Sequence, residues 1–162
     1  MNVIGFHNPE EENGFLSNWY LSAFRSDNID FSSLEQFMMY RKAVCFRDDE
    51  SVARILSTDD TAKIKALGRL VSGYDGHIWN GIRQLVVYEG LLAKFSQNES
   101  LKRDLLDTGD ALLAECAVKD CIWGIGLSMT DPKRFDPSQW RGQNLLGYTL
   151  MMTRSKLAAS MN

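Results

Sequence analysis

The sequence has 162 residues, of which 44% are hydrophobic, and its 18 basic and 21 acidic side chains give a net charge of −3. This length fits one ordinary domain that can bury a core without disulfides or metal. The slight acidic excess argues against a non-specific grip on a long nucleic-acid backbone, which usually needs a basic excess, although it leaves room for a local basic patch.

The N-terminal part of the chain changes from irregular to helical. Residues 1–31 show no sustained period and contain short extended pieces at 2–6 and 15–20. A first helix is predicted from about Ser33 to Phe46, because apolar residues recur there at the helical period.

Periodicity and stop signals predict four further helices: near 50–57, near 60–72, from Asn80 to about Gln97, and from Glu99 to Asp107, before Gly109. Segment 111–117 fits either a short strand or a helix, because its periodicity does not decide. Residues 120–143 are typical of a loop, and a last helix is expected over 144–159. The predicted fold class is α+β, predominantly α-helical, in a single compact domain over 1–162 whose loops form a pocket over the helices.

The cysteine and histidine content predicts neither a disulfide framework nor a metal centre. Cys45, Cys116 and Cys121 are odd in number and scattered, which is typical of buried reduced thiols. Only His7 and His77 are present, so no zinc site of histidine and cysteine ligands can be assembled. The N-terminus has no basic region followed by an apolar run, and no apolar stretch is long enough to span a membrane. We therefore expect a cytoplasmic protein.

The first predicted helix carries a carboxylate and an amine. Glu35 and Lys42 are seven residues apart, which is two helical turns, so both side chains project from one face. A carboxyl and an amine that converge on one pocket suit acid–base or Schiff-base chemistry at a sugar carbon. Two ordinary roles stay open: Ser32 and Glu35 have the spacing of a capping box, and Lys42 fits a solvated lysine.

The predicted helix near 80–97 brings two further candidates. Trp79 at its start is typical of a core anchor, but a tryptophan can also stack on a base or a sugar. Lys94, near its end, fits either a phosphate contact or a surface lysine.

Two later segments have a composition that suits a ligand with phosphates. Glu115 and Asp120 precede Trp123, Gly124 and Gly126, and glycines let a backbone approach a ligand and offer it N–H groups; an ordinary turn is the alternative.

The second of these segments contains Arg141, Gly142 and Asn144, and it leads into the last predicted helix. A helix N-terminus next to an arginine is a reasonable diphosphate cradle. An ordinary asparagine N-cap is the alternative.

Six motifs in a fixed order resemble the NADAR family, also described as YbiA-like. They are residues 16–20; Glu35 with Lys42; Trp79 with 94–95; 105–109; Glu115 with 120–126; and 142–147 followed by 150–154. The resemblance covers nearly the whole chain and implies a compact α-rich domain linked to NAD-derived and ADP-ribose metabolism. Some members resemble N-glycosidases of an early riboflavin-pathway intermediate. Others resemble hydrolases that remove ADP-ribose from guanine in nucleic acid, opposing ADP-ribosyltransferase toxins.

This resemblance implies an antitoxin-like hydrolase that releases ADP-ribose from guanine in DNA or RNA without a metal or other cofactor. Glu35 is the expected acid–base group, and Lys42 the expected Schiff-base nucleophile or an electrostatic aid; Glu115 and Asp120 are reserve candidates. Single-stranded substrate is favoured, because a base in a duplex would have to be flipped out. The expected substrate contacts, with base, ribose and diphosphate, are Asn18, Trp19, Tyr20, Trp79, Lys94, Trp123, Gly124, Gly126, Arg141, Gly142 and Asn144.

Three residues and one segment differ from the family pattern, and these differences bear on which substrate the protein takes. Gln36 stands where the family usually has histidine, and Met39 and Tyr40 stand where it often has glutamine and alanine. Segment 127–139 is longer than in the riboflavin-type members, so it is a candidate lid or recognition element. Two alternative functions therefore stay open: an N-glycosidase of a riboflavin-pathway intermediate, and a non-catalytic module that binds ADP-ribose.

Overall fold

A computed structural model describes residues 2–160 and divides the chain into two compact units. The terminal unit combines the residues up to Tyr20 with those from Asn98 onward, and the central unit is Leu21–Gln97. In chain order the strands and α-helices are β1 (Val3–Phe6), β2 (Phe24–Ser26), β3 (Ile29–Phe31), α1 (Leu34–Cys45), α2 (Asp49–Leu56), α3 (Thr61–Arg69), α4 (Gly76–Gln97), α5 (Glu99–Asp107), β4 (Leu112–Glu115) and α6 (Leu145–Ala159). The predicted α+β class with mostly helical content is confirmed.

The central unit packs a short hairpin and helices around α1. Strands β2 and β3 pair antiparallel through a turn at Asp27 and Asn28, both with positive φ. The rings of Phe24, Phe31 and Phe37 lie 5.1 to 5.9 Å apart between centroids, which joins the hairpin to α1. This hairpin was not predicted, and its residues lie within the stretch 1–31 that was expected to be irregular.

Helix α1 is held closely on both sides. A Cβ at Gly90 of α4 would come within 2.4 Å of Leu34 Cδ1 and 2.5 Å of Phe37 Cδ1, so only glycine allows α4 to approach α1 this closely. A Cβ at Gly68 of α3 would likewise lie 1.9 Å from Met39 Sδ. These approaches place α1 between α3 and α4, with most of its side chains buried.

The terminal unit is built on two parallel strands. β1 pairs with β4 in the register Val3 to Leu112 through Phe6 to Glu115, and α6 packs against β4. Its core contains Val3, Ala114, Cys116, Ile125 and Leu127. Segment 111–117, for which strand and helix were both open, is therefore a strand over most of its length.

The other element boundaries differ from the predictions in specific places. The extended piece expected at 15–20 is wrong, because a 3-10 helix occupies Gly14–Leu16. Helix α4 begins at Gly76, so Trp79 lies in its first turn. The predicted loop at 120–143 holds two short 3-10 helices, Pro132–Phe135 and Pro137–Gln139.

Candidate functional site

The predicted site residues belong to both units. The central unit holds Glu35 and Lys42 on α1 with Trp79 and Lys94 on α4. The terminal unit holds the others: Asn18, Trp19, Tyr20, Glu115, Asp120, Trp123, Gly124, Gly126, Arg141, Gly142 and Asn144. The geometry of each set is described within its own unit.

Glu35 is not the capping residue that the sequence pattern indicated. The N-cap of α1 is Ser33, whose hydroxyl accepts from Gln36 N at 3.1 Å, while Gln36 Oε1 accepts from Ser32 N at 2.8 Å. The capping pair is therefore Ser33 with Gln36, one residue later than predicted. Glu35 lies in the first turn of α1 and is only 4% exposed, and the capping pair is formed by the two residues on either side of Leu34 and Glu35.

Gln36 holds the start of α1 in place beside Glu35, a role that was not predicted from the sequence. Its amide nitrogen donates to the carbonyl oxygens of Ile55 at 3.1 Å and Thr58 at 2.9 Å, so it ties the start of α1 to the end of α2. A buried glutamine with these partners fixes the backbone next to Glu35. Its signal was present in the sequence as a departure from the histidine usual in the resembled family.

Lys42 is partly buried, and its ammonium group has two defined contacts. It donates a 2.8 Å hydrogen bond to the carbonyl oxygen of Gly68, and it lies 4.5 Å from the centroid of the Tyr74 ring. Burial lowers the pKa of Lys42; the Glu35 charge raises this pKa and the Arg69 charge lowers it. The α1 carboxylate and amine therefore interact electrostatically.

Trp79 and Lys94 are both buried on α4. Trp79 is 6% exposed, which agrees with its reading as a core anchor. The alternative of a surface lysine is wrong for Lys94, because its side chain is fully buried and its ammonium lies 5.0 Å from the Phe95 ring centroid. Burial lowers the pKa of Lys94 to about 7, so near neutral pH this amine exchanges readily between charged and neutral forms.

We expect the free energy of unfolding of the wild type to rise with pH relative to that of Lys94→Met. Burial holds the pKa of Lys94 at about 7, below its ordinary value of 10.5. Between these pH values the unfolded chain therefore binds more protons than the folded chain. The charged amine destabilises the folded state fully below pH 7, and this unfavourable contribution is lost as the pH rises. Denaturant unfolding should show a gain of about 2 kcal/mol between about pH 7 and 9. A difference that stays constant with pH would contradict the depressed pKa.

In the terminal unit, the Asp120 carboxylate organises the turn that carries Trp123. Its Oδ1 accepts from Ile122 N at 2.9 Å and from Trp123 N at 2.8 Å. The adjoining backbone is tied to β4, because Ile125 N donates to the carbonyl oxygen of Glu115 at 2.8 Å. Asp120 thus has a positioning role in the turn, while its reserve role in catalysis stays a prediction.

The glycines of this unit are required by contacts within the chain. A Cβ on Gly142 would lie 2.2 Å from the carbonyl oxygen of Gly124, and one on Gly124 would lie 2.9 Å from the carbonyl oxygens of Glu115 and Asp120. Gly126 has φ +71, a conformation that side chains disfavour. The close approach that sequence analysis expected for a ligand is at these points an approach of backbone to backbone.

The predicted diphosphate cradle of backbone amides at the start of α6 is wrong. The N–H groups of the six residues 141–146 all donate to carbonyl oxygens of residues 121–125, at 2.8 to 3.2 Å. Amides that are already paired are not available to an anion. The exposed side chain of Arg141 remains the predicted diphosphate contact.

Asn144 is also not an ordinary N-cap. It adopts a left-handed conformation with φ 53, and its side chain makes no capping bond. Instead its Nδ2 donates to the carbonyl oxygen of Leu113 at 2.8 Å and its Oδ1 accepts from Glu115 N at 3.1 Å. The fully buried amide therefore joins the start of α6 to β4, beside Glu115.

Replacement of Asn144 by alanine is expected to lower the free energy of unfolding by about 3 kcal/mol. The change leaves a buried carbonyl of Leu113 and a part-buried N–H of Glu115 without the Asn144 side chain as partner, and it puts alanine in a left-handed conformation. Denaturant unfolding measures the loss. The neighbouring exposed residue provides the control, because Gln143→Ala should stay within about 0.5 kcal/mol. Equal stabilities of both variants would show that the amide bridge contributes little.

The predicted contacts Asn18, Trp19 and Tyr20 follow the 3-10 helix of the terminal unit. Asn18 is 7% exposed, and its Oδ1 is buried without a hydrogen-bond partner. Trp19 and Tyr20 are half-buried. An unpaired buried amide oxygen is unfavourable unless a ligand or water donates to it, so Asn18 suits a hydroxyl or amino group of a ligand.

Residues 2–160 contain neither a cluster of metal ligands nor a membrane-spanning helix. In this range no three side chains of histidine, cysteine, aspartate or glutamate come together as metal ligands. Within the same range, no helix has the length and apolar character needed to cross a membrane.

Comparison with known proteins gives a consistent family. The sequence matches the NADAR domain over residues 5–158. It is 36% identical over 146 residues to an N-glycosidase of Acanthamoeba polyphaga mimivirus, covering 87% of this chain and 86% of that protein. It is 32% identical over 154 residues to a riboflavin biosynthesis protein of Vibrio vulnificus, covering 95% of this chain but 38% of that longer protein. The NMR structure of Escherichia coli YbiA superposes with a TM-score of 0.82 at 26% identity, covering 99% of this chain and 87% of that one.

Proposed function

The chain belongs to the NADAR domain family, and we propose that it is an N-glycosidase that releases ADP-ribose from ADP-ribosylated guanine in DNA or RNA. The observation that carries the proposal is the α1 pair, a buried Glu35 whose charge raises the pKa of Lys42 while burial lowers it. Glycosidic cleavage needs a proton donor and a way to stabilise the sugar carbon, and this pair supplies both. The N-glycosidase name of the mimivirus relative supports the same reaction class.

In the proposed reaction, Glu35 moves protons and Lys42 forms a transient covalent bond. Protonation of the ribose ring oxygen opens the sugar and leaves an iminium between its anomeric carbon and the guanine nitrogen. The neutral Lys42 amine adds to that carbon and gives up a proton to Glu35. Glu35 passes this proton to the guanine nitrogen, and guanine leaves as the bond between carbon and nitrogen breaks. The resulting Schiff base takes up one water, which releases the Lys42 amine and the aldehyde, and the aldehyde closes to ADP-ribose. The net change is substrate plus water to ADP-ribose plus intact guanine.

Further binding roles are proposed for residues of each unit by itself. The unpaired Asn18 oxygen supports a contact with a ribose hydroxyl or a base amino group, and Trp19 and Tyr20 are proposed to lie against the same part of the ligand. The exposed Arg141 is proposed to bind the diphosphate as a charged fork. The other proposed contacts are Trp79, Lys94, Trp123, Gly124 and Gly126, with Glu115 and Asp120 as reserves that hold ribose hydroxyls or activate water.

A riboflavin-pathway ribosylamino intermediate is the second candidate substrate. The Vibrio vulnificus relative, named as a riboflavin biosynthesis protein, favours it. The bond to be broken is the same, between an anomeric carbon and nitrogen, so the same α1 pair would serve. The difference lies in the adenosine half, which only ADP-ribose presents to the binding residues.

The proposal is tested by incubating the full chain with a guanine-ADP-ribosylated single-stranded oligonucleotide and measuring free ADP-ribose by mass spectrometry. Release of ADP-ribose together with restoration of the unmodified oligonucleotide is expected. Cleavage of the riboflavin-pathway intermediate alone would favour the second candidate. Binding of ADP-ribose by folded protein that cleaves neither substrate would instead indicate a non-catalytic binding module.

We propose further that the reaction reverses ADP-ribosylation in the cytoplasm and thereby opposes an ADP-ribosyltransferase toxin. Intact guanine as a product supports a reversal role, because the nucleic acid returns to its original state. Co-expression with a guanine-specific ADP-ribosyltransferase tests this role. Growth should be restored by the wild type and not by Glu35→Gln.

A further inference from the structure

Tyr74 is an exposed aromatic side chain in the segment that joins α3 to α4. Half of its surface, 50%, is exposed, although its ring also makes an edge contact with Phe46 at 5.5 Å between centroids. The segment is anchored to the start of α2, because Ser72 N donates to Oδ2 of Asp48, the N-cap of that helix, at 2.9 Å. The ring is therefore held in place with much of it open to solvent.

The Tyr74 ring lies next to the amine of the proposed reaction. Lys42 Nζ is 4.5 Å from the ring centroid, and the same amine is fixed by its hydrogen bond to the Gly68 carbonyl oxygen. A nucleophile attacks a carbon about 3 to 3.5 Å away. The carbon under attack therefore lies at most about 8 Å from the ring centroid, and the base attached to it is near enough to reach the ring.

Resting on the proposed function, we propose that Tyr74 is the stacking platform for the nucleobase of a single-stranded nucleic-acid substrate. A base presents a flat π-face, and exposed aromatic rings beside cationic side chains are the usual means of holding single strands. The exposure of the ring leaves room for the strand to continue into solvent. This assigns the base-binding side of the substrate to the segment around Tyr74, which none of the predicted contacts covers.

Charges of both signs lie near the Tyr74 ring. Lys42 and Arg69 both carry positive charge here, close enough for Arg69 to influence Lys42. The carboxylate of Asp48 is occupied by hydrogen bonds from Ser51 and Ser72, and that of Asp75 accepts from the backbone at the start of α4. The exposed Arg69 is therefore the cation near this ring that can meet a phosphate of the strand, while Glu35 and Lys42 are used in the proposed reaction.

The test measures binding of a fluorescein-labelled, unmodified five-nucleotide single strand containing guanine, by fluorescence anisotropy at low salt. Tyr74→Ala should weaken binding on the order of tenfold, the size expected for one lost stacked base. Tyr74→Phe should bind like the wild type, because it keeps the ring. Tyr148→Ala is the matched control, since Tyr148 is an exposed tyrosine on α6 at 43% exposure.

Any of three results would overturn the assignment of Tyr74 as the platform. These are equal binding by wild type and Tyr74→Ala, equal binding of a duplex of the same sequence, and no binding by the wild type. The affinity for free ADP-ribose should be the same in wild type and Tyr74→Ala, and a parallel loss would place the ring elsewhere in the site. These readouts need no turnover. Stacking on Tyr74 without ADP-ribose release would refute the proposed function alone, and release with Tyr74-independent binding would refute the platform alone.

Discussion

Replacement of Glu35 by glutamine is expected to lower kcat for ADP-ribose release by about 10²- to 10⁴-fold, the usual contribution of a positioned acid–base group. Glutamine keeps the size and hydrogen-bonding shape of the side chain but cannot donate or take up the catalytic proton. The capping of α1 belongs to Ser33 and Gln36, so the helix start should survive the change. Steady-state kinetics with thermal unfolding in parallel measures both effects.

A matched control separates this chemistry from helix electrostatics. Glu99 is the acidic residue in the first turn of α5, as Glu35 is in α1, and it is exposed. Glu99→Gln therefore removes a comparable charge at a helix N-terminus and should leave kcat unchanged. Activity of Glu35→Gln within about tenfold of the wild type would exclude an acid–base role of the expected size.

The pH dependence of the residual activity of Glu35→Gln provides a second test of the pair. The Glu35 charge raises the pKa of Lys42, so its removal lowers that pKa. If neutral Lys42 is the nucleophile, the pH at which the residual rate increases moves downward in the variant. An unchanged pH profile would show that the two groups do not share one site of action.

Helix α1 shows which features the local sequence pattern could predict and which it could not. The length of α1 follows from the spacing of its apolar residues, which can be read from the local sequence alone. The position of its cap does not, because Ser32 with Glu35 and Ser33 with Gln36 offer the same spacing one residue apart. The second pair is selected by the hydrogen bonds of Gln36 to Ile55 and Thr58, which lie in the last turn of α2 and just after it.

Features set by distant parts of the chain were predicted least well. The β2–β3 turn uses Asp27 and Asn28 in left-handed conformations without the glycine that marks most such turns. Gly124 and Gly142 contact each other across 18 residues, so their purpose was not readable locally and was assigned to a ligand. Lys94 occupies a helix position that is commonly solvated, and its complete burial follows from tertiary packing.

The loss of activity in Lys42→Arg should distinguish covalent from electrostatic catalysis. Arginine keeps a positive charge next to Tyr74 and a donor for the Gly68 carbonyl, but it cannot form a Schiff base. With a covalent mechanism, Lys42→Arg and Lys42→Ala should both lose about a thousandfold or more in kcat. With electrostatic help alone, Lys42→Arg should retain most of the activity that Lys42→Ala loses. The exposed α3 residue Lys63 gives the control variant, Lys63→Ala, which should behave as the wild type.

Borohydride reduction during turnover should convert the Lys42 Schiff base into a stable adduct, which peptide mass spectrometry locates. The burial that lowers the pKa of Lys42 favours the neutral amine that this step requires. Lys94 is the competing site, since its fully buried amine has a pKa of about 7. An adduct on Lys42 that is absent in Lys42→Arg supports the mechanism. An adduct on Lys94 would transfer the nucleophile to α4, and turnover without any adduct would leave Lys42 an electrostatic role next to Glu35.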